Sequence, residues 1–307
     1  MSANGNQPGV EGARPQHPVW LLGPVLALAS AAECLAGAYL GGARLIDPRS
    51  VGLALCATGI FAAGSAMGHY CDRERDVQRH PSRPLPTGAA SASSVWHFAW
   101  ALLVIALLGC WAVGRATGAV GMCTGVLAVV YATNARRVWG AGYLTLGAAH
   151  ASCFLLGTAV TENGLQWGVL PAVAVGMYAV GWAVLRGSRQ PGVPQSAGFV
   201  ALLHLTAAFG VVTYLMLREF SYRLDSLPFI AAAGVLTLPR VVRAVMQPVP
   251  GVLLEAVQWS FLGQVALGAG LAAGYAGYAA GLIIAAFGWP IYLLLEREPI
   301  SLVTDPR

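Results

Sequence analysis

Apolar stretches close to 20 residues long recur along this chain, near positions 18–41, 51–70, 95–113, 116–134, 141–160, 166–185, 198–217 and 228–246. A longer apolar run, about 252–295, has room for two more stretches and a bend near Gly274–Gly277. This recurrence constrains the fold most, because about 20 apolar residues are what a helix needs to cross the roughly 30 Å hydrocarbon layer. Backbone groups in lipid must be satisfied within the segment, and no alternating period of a barrel is visible, so each stretch is expected to be a helix. The expected fold is all-α, a polytopic membrane helical bundle of nine to ten transmembrane helices. The mean hydropathy of +0.64 agrees with this.

The arginines orient the bundle. Every one of the 18 basic residues is Arg. With the N-terminus on one side, that side collects Arg14, Arg73, Arg75, Arg79, Arg83, Arg136, Arg137, Arg186, Arg189, Arg240 and Arg243, and also Arg297 and Arg307 if there are ten helices. The opposite side holds Arg44, Arg49, Arg115, Arg218 and Arg223. The excess places the first side in the cytoplasm. An integral protein of a bacterial cell membrane is expected, with residues 1–17 a flexible cytoplasmic N-terminus, 18–296 the transmembrane domain and 297–307 a short tail. The N-terminal segment lacks the short apolar core and cleavage site of a secretory signal.

Composition excludes several classes. The formal charge of +5 is carried beside the membrane, with no basic stripe interleaved with aromatics, so nucleic acid is not an expected partner. The six cysteines are scattered without C-x-x-C spacing, which supports neither a zinc site nor a disulfide framework.

Charge is dense in one place only, "CDRERDVQRHPSRPLPTG", residues 71–88. Asp72 and Asp76 are four apart, so they share a face if the second helix continues past Tyr70. Two such carboxylates can hold Mg²⁺, which prefers oxygen ligands and binds substrate phosphates at the same time. Arg73, Arg75, Arg79 and Arg83 surround them with guanidinium forks suited to phosphate oxygens. The plainer alternative is a cytoplasmic loop that obeys the charge rule, its acids offsetting its arginines.

The wording of that segment resembles the first aspartate-rich motif of the UbiA superfamily of intramembrane prenyltransferases, N-D-x-x-D-x-x-x-D followed by R-P-x-R-P-L-P-x-G. Asp72 and Asp76 match its last two aspartates, and Arg83, Pro84, Leu85, Pro86 and Gly88 match its tail. The resemblance implies that this segment ends the second helix and binds Mg²⁺ and an isoprenoid diphosphate. Gly68 stands where the family has Asn, His69 where it often has Asp, and His80 where Arg or Glu is commoner. The family's second acidic motif should follow the sixth helix, where the chain reads "AVLRGSRQPGVPQ" with no acid between Glu162 and Glu219. Arg186 and Arg189 stand there instead, either as phosphate ligands or as interfacial arginines.

Other segments resemble one subgroup, the EboC-type proteins, which also lack an ordinary second motif. "AAECLAGAYL" carries Glu33 for the subgroup's Asp, and "LTLGAAHASCFLLG" carries His150 for Arg and Cys153 for Asn. "QPVPGVLLEAVQWSFLGQVALGAGLAAGYAG" carries Gly268 where the subgroup tends to have Asp. Glu33 also stands out physically, since a carboxylate in mid-membrane costs on the order of 2.5–3.5 kcal/mol on the insertion scale and is normally functional or paired. It is either a neutral hydrogen-bonding residue, an anchor for an acceptor, or the base that removes the acceptor's proton. His150 and His204 suit helix–helix hydrogen bonds or substrate contact. Asn134, beside Tyr131 and Tyr143 at a helix end, can contact a phosphate.

The resemblance implies Mg²⁺-dependent transfer of an isoprenyl group from a prenyl diphosphate donor to a small-molecule acceptor at the lipid bilayer. Asp72, Asp76 and Glu33 are the candidate catalytic residues. Arg73, Arg79, Arg83, Asn134, His150 and Arg186 are the candidate substrate contacts. Two alternatives stay open: a cyclase in which the same allylic cation closes on itself, and a non-catalytic carrier of an amphipathic precursor.

Overall fold

The computed structural model describes residues 17–188, 196–218 and 222–297. The expected tails therefore lie almost wholly outside the described residues, and so does Arg189. Among the described residues the chain is helical throughout: α1 (Pro24–Leu40), α2 (Pro48–Arg79), α3 (Ala92–Val113), α4 (Arg115–Thr133), α5 (Ala141–Thr158), α6 (Gly164–Gly187), α7 (Ala197–Arg218), α8 (Leu227–Met246), α9 (Pro250–Ala276), α10 (Tyr278–Ala286) and α11 (Gly288–Arg297).

Local chemistry sets the boundaries. α2 opens with Pro48 at its first position and with Asp47 accepting hydrogen bonds from the backbone N–H of Arg49 and Ser50, a pairing that fills two of the helix's orphan donors. α9 ends at Gly277, whose φ of 90° reverses the chain into α10. The long apolar run therefore divides where its glycines are. α10 and α11 together form one 20-residue apolar span, Tyr278–Arg297, and among the described residues eight spans are long and apolar enough to cross a membrane. With the shorter α1 (17 residues) and with α5, which carries His150, the described residues hold ten helical segments of the bundle.

α6 and α9 are largely buried, whereas α3, α7 and α8 turn most of their surface outward to lipid. The protein is an integral membrane protein. α1 and α5 meet backbone to backbone: a Cβ on Gly37 would overlap the carbonyl of Phe154, and one on Gly157 would overlap that of Cys34. Small residues permit this close approach in a bundle where lipid supplies no hydrophobic drive. Both contacts sit within two turns of Glu33 and His150, so they hold those side chains in reach of each other.

The second apolar run ends near residue 70, but the helix does not: residues 71–79 are the last turns of α2, in keeping with what the resemblance implies, and the loop begins at His80. At 32 residues α2 is roughly 48 Å long, well beyond the hydrocarbon thickness, so its charged turns project past the membrane.

Candidate active site

The projecting end of α2 carries Asp72 and Asp76 on one face, about 6 Å apart along the axis. The loop after α2 returns onto this face. Ala90 N–H donates to the Pro84 carbonyl at 3.1 Å and Gly88 adopts φ 73°, closing a compact turn over the proline-rich tail. That turn sends Arg83 back to Asp76, with Nη1 to Oδ1 at 2.7 Å. Asp76 is buried, and its Oδ2 has only His69 Nδ1 beside it, 4.0 Å away.

Asp72 takes its partner from the α4–α5 connection. Arg136 Nη1 is 2.9 Å from Asp72 Oδ2, and its Nη2 donates to the Gly68 carbonyl at 2.7 Å. Arg137 adds a bond from Nη2 to the Cys71 carbonyl at 3.0 Å. A Cβ on Gly68 would stand 2.8 Å from Arg136 Nη1. The glycine found where the family has Asn thus leaves the space that the guanidinium occupies. Burial presses Arg136 below the usual arginine range against the opposing charge of Asp72, yet an arginine remains charged at any physiological pH. Counting charges assigned Arg136 only to membrane orientation. Its position just after Asn134, at the end that α2 also reaches, was the available signal.

The other candidates separate into two groups. Arg73 folds back on α2, its guanidinium 4.5 Å over the Tyr70 ring and bonded to the Tyr70 carbonyl at 3.0 Å. Arg79, Asn134 and Arg186 stand exposed at the ends of α2, α4 and α6. Glu33 and His150 lie deep in the bundle, buried at 3% and 0% exposure. His150 Nδ1 is 2.9 Å from both Glu33 oxygens. Gln264 on α9 donates from Nε2 to Glu33 Oε1 and accepts from the indole N–H of Trp182 on α6. The His150 ring lies 4.9 Å from that of Phe61 and 5.7 Å, edge to face, from that of Trp182. Gln264 and Trp182 carry no charge and sit in apolar runs, so nothing in the sequence marked them.

The donor set suits one magnesium ion. The buried Asp76 Oδ2 keeps its lone pairs uncommitted, and Asp72, one turn away, offers a second carboxylate. Among the described residues no group of three or more His, Cys, Asp or Glu forms a cage, so an ion here would rest on these two carboxylates, with water and phosphate completing its shell. With no acid from Asn163 to Arg218, a second ion has no counterpart of the first motif to bind, and the positive charge opposite the two aspartates comes from Arg83 and Arg136.

The family model for the UbiA prenyltransferase family matches residues 30–301, almost the entire chain. The chain belongs to the UbiA prenyltransferase family. It is 31% identical over 161 residues to the digeranylgeranylglyceryl phosphate synthase of Halobacterium salinarum, over 51% of this chain and 57% of that one. It is 30% identical over 142 residues to the protoheme IX farnesyltransferase of Renibacterium salmoninarum, over 42% of each chain. The matched region thus spans about half the length of these curated relatives. The fold is similar to that of a UbiA homologue from Aeropyrum pernix K1, with a TM-score of 0.67 at 17% identity over 80% of this chain and 96% of that one. It is also similar to that of an Archaeoglobus fulgidus UbiA homologue bound to DMAPP and Mg²⁺, with a TM-score of 0.52 at 15% identity over 91% and 100% of the two chains.

Proposed function

We propose that this UbiA protein is an intramembrane prenyltransferase that ionises a prenyl diphosphate at the projecting end of α2 and delivers the allylic group to a small acceptor inside the bundle. The observation that carries this reading is the pairing of Asp72 and Asp76 on one helix face with Arg136 and Arg83 against them, within the family's first motif. Asp72 and Asp76 would hold Mg²⁺, which when bound neutralises charge on the departing diphosphate. Arg83 and Arg136 are placed to release the carboxylates and turn their forks to phosphate oxygens as the donor arrives. Their charge is present before reaction, so they stabilise the leaving group without reorganising solvent. The apolar helix faces below keep water from the allylic cation. In this reading the site faces the cytoplasm of a bacterial cell, which the arginine excess supports.

The test uses purified protein in nanodiscs with geranyl diphosphate and Mg²⁺. The wild type is expected to bind the donor and release diphosphate. Asp72→Asn and Asp76→Asn are each expected to lower the rate by about 10²-fold or more. A wild type that neither binds nor consumes the donor overturns the reading. The carrier alternative draws on the ion pairs that already occupy both carboxylates, and it requires the two Asn variants to keep full biological activity.

A further inference from the structure

Pro239 interrupts the hydrogen-bond ladder of α8 within its last turns. A proline lacks the N–H that the Val235 carbonyl, four residues back, would accept, and a carbonyl left open in a spanning helix is costly. The next residue repairs the gap. Arg240 folds back along α8, where its Nη1 donates to the Val235 carbonyl at 3.3 Å and to that of Leu236 at 2.9 Å. Its guanidinium also lies 4.0 Å from the centre of the Trp259 ring on α9, a stacking that fixes its position between the two helices.

Much of the positive charge here stays uncommitted. Arg240 Nε is 3.6 Å from Glu255 Oε1, and Arg243 Nη1, one turn further along α8, is 3.8 Å from Glu255 Oε2. Both distances exceed hydrogen-bond range. Arg240 Nε is buried with no hydrogen-bond partner, while the Arg243 side chain is 60% exposed and meets no partner closer than Glu255 among the described residues. Two permanent charges thus face one carboxylate, which leaves a single positive charge over. Neither arginine takes part in the site at the end of α2.

The surroundings of this charge are apolar and face lipid. α8 turns most of its surface outward, and Val235, Val242 and Met246 are exposed along it at spacings of seven and four, which places them in one stripe. The arginines stand beside that stripe near the end of the helix, the depth at which lipid headgroups meet the hydrocarbon. A phosphodiester carries one negative charge, which matches the charge left over. Phosphatidylcholine carries a cation of its own and cancels that charge, and a free phosphate has no chain to cover the stripe.

We propose that this end of the α8–α9 hairpin binds one anionic phospholipid of the surrounding leaflet. Its phosphate takes charge-assisted hydrogen bonds from Arg243, with Arg240 beneath it, and an acyl chain follows the stripe of Val235, Val242 and Met246. Glu255 competes with the phosphate for both guanidinium groups and so tunes the affinity. No part of this site draws on prenyl transfer.

Native mass spectrometry of the full chain in detergent, titrated separately with phosphatidylglycerol and phosphatidylcholine, tests the site. The wild type is expected to bind phosphatidylglycerol about tenfold more tightly than phosphatidylcholine. Arg243→Gln is expected to bring the two lipids within about twofold of each other. Glu255→Gln should move in the opposite direction and strengthen phosphatidylglycerol binding severalfold, whereas an ion pair serving only to hold the helices together gives no such gain. Arg297→Gln, which removes an exposed arginine of α11, is expected to keep the wild-type preference. Equal affinity of the wild type for the two lipids overturns the proposal, and so does an unchanged preference in Arg243→Gln or the lack of a gain in Glu255→Gln. An equal loss in Arg297→Gln marks diffuse surface charge and overturns it as well. Displacement of bound phosphatidylglycerol by millimolar inorganic phosphate overturns the assignment to a lipid.

Discussion

Gly68 and Arg136 show how one missing side chain redefines a site. In the family pattern an amide stands at position 68, but here the guanidinium fills that space, reaches the helix carbonyl and holds Asp72. Gly68→Ala separates binding from folding. The added methyl improves helix propensity by about 0.8–1 kcal/mol while it pushes away the flexible tip of Arg136. Stability is expected to stay level or rise slightly, and affinity for geranyl diphosphate to fall severalfold, read by thermal unfolding and by titration of one nanodisc preparation. Asp72 and Asp76 were legible as a pair from their spacing, because four residues make one helical turn. Arg136 was not, since its partner lies far away in sequence and only the packing of α4 beside α2 brings the two together.

The cap at the start of α2 matters at the scale of the element, because this helix carries the site at its other end. Asp47 takes backbone N–H bonds and the Ser50 hydroxyl at 2.7 Å. Its carboxyl lies below the usual range chiefly through that hydroxyl bond, which burial opposes and the Ser50 and Arg49 N–H groups reinforce. A depressed carboxyl contributes stability above its unfolded pKa, near 4, and loses it as pH falls through the lower folded value. Asp47→Ala is expected to cost about 1 kcal/mol at neutral pH and to remove this acid-side loss, both measured by unfolding in detergent at pH 7 and in the acid range. The nine to ten passes were legible in the apolar runs. The continuation of α2 to Arg79 was not legible in those runs, because charged residues carry no apolar period; only the resemblance of the 71–88 segment implied it.

Across the whole molecule, the α1 and α5 contact decides whether the buried cluster exists. Gly157→Ala places a methyl against the Cys34 backbone carbonyl, which cannot swing aside as a side chain would. The expected result is a loss of about 1–3 kcal/mol from overpacking, with Glu33 and His150 drawn apart, measured by thermal unfolding in nanodiscs. Glu33 and His150 each stood out in the sequence as ionisable groups within spans, but 117 positions separate them and no local rule pairs them. The amino-acid sequence by itself determined the helical membrane class, the number of passes and the aspartate pair, because hydrophobic length and helical spacing act within a segment. Which guanidinium meets which carboxylate, and that Glu33 meets His150 and Gln264, only the tertiary structure decided, because those outcomes depend on directional bonds between helices that packing alone brings into contact.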